Sequence, residues 1–152
     1  MKPEETTWND WLKLEEELFF SSGSFINSIN MLSPSIREQL IENSDWTPKD
    51  VLAHVVGWDI EVVKKFKEFI VNPDTDDEYD INKFNKYSVL KRRDNSFDEV
   101  MDEFNLAQSG LREITSSLTK NNIRLEPRFK EWVEVLIRHY DHHRIKLEKL
   151  IE

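Results

Sequence analysis

Pro48 heads the run PKDVLAHVVGWDIEVVKKFKEFIV, residues 48 to 71, which holds a single glycine and no further proline. The residues before it form an unusually complete helix start. Thr47 is the natural N-cap, Pro48 takes the first helical position, Asp50 falls where a capping-box acid belongs, and Trp46 can staple against Val51 across the cap. These signals predict one long helix, B, from Pro48 to about Val71. A helix of that length must bury an apolar face against other elements of similar length, which restricts the fold to a few helical packings.

The rest of the chain supplies the partners. Trp8, Trp11, Leu12, Leu18, Phe19, Phe25, Ile26 and Ile29 recur largely at steps of three and four, predicting helix A over about residues 5–31. Gly23 among Ser21, Ser22 and Ser24 is expected to weaken its middle. Residues 33–45 read as a connector with one helical turn near SIREQL. The acidic stretch NPDTDDEYD, residues 72–80, lacks the central glycine and closing glutamate of a calcium loop and reads as a solvated turn. INKFNKYSVLKRR and the Ser96-to-Glu99 capping box predict helix C, running to about Ser116 with a break near Asp94. Pro127 opens helix D, which continues to the C-terminus. With 152 residues, 38% hydrophobic, and only 3 Gly and 5 Pro, the chain suits one domain, 1–152, all-α, built as an up-down-up-down four-helix bundle. Helices B and D then run in the same direction.

Composition also excludes several functions. The formal net charge of -9 is the wrong sign for a general nucleic-acid binder. No apolar run is long enough to cross a bilayer, and MKPEETTWNDW is no signal peptide, so no membrane association is expected and the cytoplasm is the expected compartment. With no cysteine, a metal must be held by His, Asp or Glu.

Three of the four histidines fall in LIRHYDHHRIKL, residues 136–147. With His139 set at zero on a helical wheel, Trp132 and Leu150 fall near about 20°, His143 near about 40° and Leu147 near about 80°, whereas His142 falls near about -60°. His139 and His143 thus sit on or inside the apolar face, and His142 should be wetter. Two histidines four residues apart can converge on one ion. His54 in VLAHVVGW, on helix B, offers a third ligand, and three histidines would leave coordination positions open, as catalytic zinc sites do. Taken singly, His54 reads equally as a satisfied core histidine, and the pair as basic residues near a helix C-terminus. The residue after His139 is Tyr140, so no metalloprotease His-Glu-x-x-His exists, and no histidine has a glutamate three residues before it, as di-iron bundles require.

WTPKDVLAHVVGWD, the downstream HYDHH and the intervening DINKFNKYSVLKRR together resemble the DinB/YfiT-like superfamily of four-helix-bundle metalloenzymes across most of the chain. The resemblance implies a divalent metal, zinc or nickel, on His54, His139 and His143. It further implies either hydrolysis or transfer of a low-molecular-weight thiol cosubstrate on a small molecule. Catalytic residues are unassigned; Glu61 and Trp58, on the face of His54, together with Asn85, Arg92 and Arg93, are candidate pocket or supporting residues, the last three by resemblance alone. A homodimer is also expected. One branch, similar to the colibactin-resistance proteins, shares the Trp-x-x-x-Asp-x-Leu-x-His opening. It supplies the alternative of a non-catalytic, small-molecule-binding bundle with a structural metal or none.

Overall fold

The structure, a computed structural model, describes residues 8–76, 78–121 and 127–151. These form six helices and no strand: α1 Trp8–Asn30, α2 Pro34–Arg37, α3 Pro48–Val71, α4 Ile81–Arg92, α5 Phe97–Lys120 and α6 Pro127–Glu148. The all-helical expectation holds. The anticipated helix C is two helices, α4 and α5, parted at residues 93–96, where Ser96 and Glu99 close the capping box through reciprocal bonds of 3.1 Å. The box gives the backbone a fresh helix start, and α5 continues to Lys120, beyond the expected Ser116. The start of helix A at residues 5–7 lies outside the described residues; from Trp8 the helix passes through Gly23 unbroken. No described helix is long and apolar enough to cross a membrane.

The chain divides into two compact units. The first comprises residues up to Leu32 and from Glu113 onward. In α1, Trp11, Leu18, Phe25 and Ile29 are fully buried, and their spacing of seven, seven and four marks one helix face. In α6 the matching stripe is Phe129, Val133, Leu136, Tyr140 and Leu147. The two helices pack together, with the Phe25 and Tyr140 rings 6.0 Å apart. The Trp11 indole N–H donates to the carbonyl of Thr115 at 3.2 Å, which satisfies its one polar atom in the core.

The second unit, Ser33–Arg112, is organised by α3. Its cap forms as the sequence predicts: Asp50 N–H donates to Thr47 Oγ1 at 3.1 Å and Thr47 N–H to Asp50 Oδ2 at 3.0 Å. Residues 48–57 are buried on every side, so the first three turns of α3 form a core helix, and only the later turns are amphipathic. α4 packs on α3 at Gly57, where a Cβ would lie 2.7 Å from Ser88 Cβ and closer still to its Oγ. Lys49 Nζ reaches across to the carbonyls of Arg93 and Asn95, at 3.2 and 2.9 Å, and to the Glu38 carboxylate at 3.3 Å.

Candidate metal centre

His54 sits nearly two turns inside the capped end of α3 and is 5% exposed. Its position is fixed by the cap upstream, since Thr47 and Asp50 set the phase of every later residue. A turn at residues 41–46 adds a wall. Asn43 adopts φ 61°, a left-handed conformation that asparagine tolerates better than most residues. The turn closes through Ile41 N–H to the Trp46 carbonyl at 2.9 Å and Trp46 N–H to Ser44 Oγ at 3.1 Å. The Trp46 ring is thereby brought to 4.8 Å from the His54 imidazole, tilted by 42°. A staple onto Val51 is the role expected of Trp46 from sequence; in the structure its ring packs against His54.

On α6 the histidine face lies at the edge of the buried stripe. His139 and His143 are half-buried, their rings 4.8 Å apart and nearly perpendicular, and His142 is exposed, 5.0 Å from His143. This follows the wheel, with one refinement: the centre of the buried face falls at Tyr140 and Val133, so both inward histidines lie along one edge of it. Burial pushes His139 down to about 4, and the neighbouring His142 charge adds to the effect. At neutral pH His139 is therefore an uncharged imidazole, the form in which histidine binds metals.

Each of His54, His139 and His143 offers one nitrogen, and these nitrogens lie within 4.8 Å of one another. An ion bonding imidazole nitrogen at about 2.0–2.1 Å takes ligand nitrogens roughly 3–4 Å apart, and a group of this kind could hold a metal ion. All three donors are borderline-soft nitrogens, which favour zinc, nickel or copper over calcium or magnesium.

The remaining candidates fall around α3 and α4. The Glu61 carboxylate accepts from the Tyr79 hydroxyl at 2.8 Å. The Trp58 indole N–H donates to Asn85 Oδ1 at 2.7 Å, and its ring packs on Phe84 at 4.3 Å and Tyr79 at 5.3 Å. Glu61, Trp58 and Asn85 thus belong to one polar and aromatic cluster that fastens the segment around Tyr79 and α4 to α3. Arg92 is 4% exposed, with its Nε 3.1 Å from Glu103 Oε2 and an Nη donating to the Ser88 carbonyl. Arg93 turns the other way, half exposed, with an Nη 3.5 Å from Asp50 Oδ2. Neither Trp46 nor Tyr79 was marked as a site residue by sequence, because each lies in a connector where no helical phase relates it to its partner.

No family model and no curated protein matches the chain. Among solved structures, the chain is similar to an uncharacterized protein from Clostridium difficile 630, with a TM-score of 0.73 and 17% identity over 95% of this chain and 96% of that one. At that identity the likeness establishes a shared all-helical fold.

Proposed function

We propose that the chain is a metal-dependent enzyme of the DinB/YfiT-like type. In this reading α1, α3, α5 and α6, each 22 to 24 residues long, are the four helices of the bundle. His54, His139 and His143 hold a zinc or nickel ion. The observation that carries the reading is the grouping of the three imidazoles from two helices far apart in sequence, one buried and two half-buried. A bound divalent ion supplies a nucleophile at neutral pH, by acidifying a water or by binding a low-molecular-weight thiol as thiolate.

The chain's own residues do the positioning. The Thr47–Asp50 cap and the Trp46 ring hold His54 in place. Burial keeps His139 unprotonated and ready to donate its lone pair. The middle of α3 carries Trp58, tied to Asn85, which braces α4 beside the same helix. The substrate is a small molecule, hydrolysed or joined to the thiol, and the protein works as a homodimer, which light scattering would register as twice the chain mass.

The test is metal content. Untagged protein purified without chelator is expected to carry close to one zinc or nickel ion per chain by plasma mass spectrometry. His54→Ala and His143→Ala should each lose it, and His142→Ala, altering an exposed imidazole, should keep it. Absence of metal after incubation with either ion would sink the enzyme reading and leave the non-catalytic bundle.

A further inference from the structure

α4 stands apart from the rest of the chain in charge. The protein carries a formal net charge of -9, yet α4 contains Lys83, Lys86, Lys91 and Arg92, with Arg93 directly after, and no acidic residue. A cavity of about 500 Å³ opens along one stripe of this helix, formed by Asn82, Asn85, Lys86, Val89, Leu90 and Arg93. These positions follow the three-four spacing of a single helical face. The opposite wall is Asp45 and Trp46, from the turn that presses the Trp46 ring against His54.

The lining has a definite chemistry. Trp46, Val89 and Leu90 give it apolar wall. Lys86 and Arg93 give two cationic heads against one carboxylate of the lining, that of Asp45, with Asp50 paired to Arg93 from outside it. Asn85 has its oxygen occupied by the Trp58 indole, so its carboxamide offers N–H donors to anything in the cavity. The Arg93 guanidinium spends one nitrogen on Asp50 at 3.5 Å and keeps further N–H groups. The volume falls in the range of small-molecule sites.

We propose that this cavity is an acid-binding subsite: it takes the carboxylate of a small organic acid on Lys86, Arg93 and Asn85 and that molecule's apolar body on Trp46, Val89 and Leu90. A molecule so held lies one aromatic ring from His54, so the substrate of the proposed enzyme is an amphiphilic organic anion. The role as a substrate subsite rests on the metal-enzyme reading, whereas the binding itself depends only on α4 and the 45–46 turn.

The two can be tested apart. Metal-free, ¹⁵N-labelled protein would be titrated with phenylacetate and, separately, with the isosteric neutral phenylacetamide. The Trp46 indole and Asn85 side-chain signals are the readout, the former assigned with Trp46→Phe. Phenylacetate is expected to shift both signals saturably and to bind at least tenfold more tightly than the amide. Lys86→Glu, an exposed change, should weaken phenylacetate at least fivefold. Asp45→Asn, which removes the one opposing carboxylate, should tighten it, an outcome that damage to the fold does not produce. Equal binding of acid and amide, no shift with either, or indifference to both variants would overturn the proposal. Anion binding intact in protein that takes up no metal would remove the substrate role and the proposed function together; metal uptake without anion binding would remove this subsite alone.

Discussion

Gly57→Ala is expected to destabilise the protein by about 2–3 kcal/mol, lowering the melting temperature by roughly 5–10 °C, although alanine is the better helix former by about 1 kcal/mol. The sign is decided by Ser88. A Cβ at position 57 would stand 2.7 Å from Ser88 Cβ, and the neighbour is the stem of a buried side chain on a packed helix. Relief therefore requires α4 to move. The double variants separate this from propensity: Gly57→Ala with Ser88→Ala stays destabilised because the Cβ clash remains, whereas Gly57→Ala with Ser88→Gly recovers much of the loss. The other two glycines provide controls. At Gly110 an added Cβ meets only Val63 methyls at 3.7 Å, and at Gly23 it meets nothing within 4 Å, so alanine there should be neutral or stabilising by up to about 1 kcal/mol. Urea titrations of the set decide the matter; a Gly57→Ala protein as stable as the parent would mean that α3 and α4 do not approach this closely.

The second large effect is linkage of stability to metal and to pH. Zinc or nickel at about a thousand times its dissociation constant should stabilise the folded chain by about 4 kcal/mol. His54→Ala, His139→Ala and His143→Ala should each abolish that increment relative to their own metal-free baselines, and His142→Ala should preserve it. In chelator, the metal-free protein has a pH dependence of its own. The folded-state value of His139, about 4, lies below its unfolded value of 6.5, so the unfolded chain takes up the proton first. Stability is thus full above pH 6.5, falls as the pH drops from there to about 4, and is flat with respect to this group below that. The loss is at most about 3 kcal/mol, and His139→Gln should flatten the curve. With metal present the fall should be steeper, because protons also compete for the three nitrogens. A metal-induced stabilisation that is unchanged at pH 5 would rule out imidazole ligands.

The parts of the structure legible in sequence were those written in local chemistry. The start of α3 follows from Thr47, Pro48 and Asp50, and its end at Val71 from the Asn72–Pro73 step. The exposed position of His142 and the inward set of His139 and His143 follow from helical phase alone. What could not be read are relations set by tertiary contact. Residues 81–120 have no proline or glycine at the α4–α5 junction, so a break near Asp94 rather than a full separation was the natural expectation. Adjacent arginines gave no sign of which would be buried: Arg92 pairs with Glu103, and Arg93 faces the cavity, because one step of about 100° on α4 divides core from solvent. The Trp46 contact with His54 depends on an asparagine in a left-handed turn, for which sequence carries only a weak signal.

Lys49 gives the α4–α5 corner a property that its sequence, RRDNS, would not suggest. A stretch of small polar and charged residues between two helices is ordinarily where a protease finds its opening. Here the carbonyls of Arg93 and Asn95 are both held by one largely buried ammonium, so the backbone cannot swing into an extended cleavable form without breaking both bonds and leaving Lys49 with the Glu38 carboxylate alone. Limited trypsin digestion should spare Arg92 and Arg93 in the parent protein, and Lys49→Met should expose the corner to cleavage there. The junction is a clamped joint, and α4, with the cavity along its face, is carried as a fixed part of the α3 scaffold.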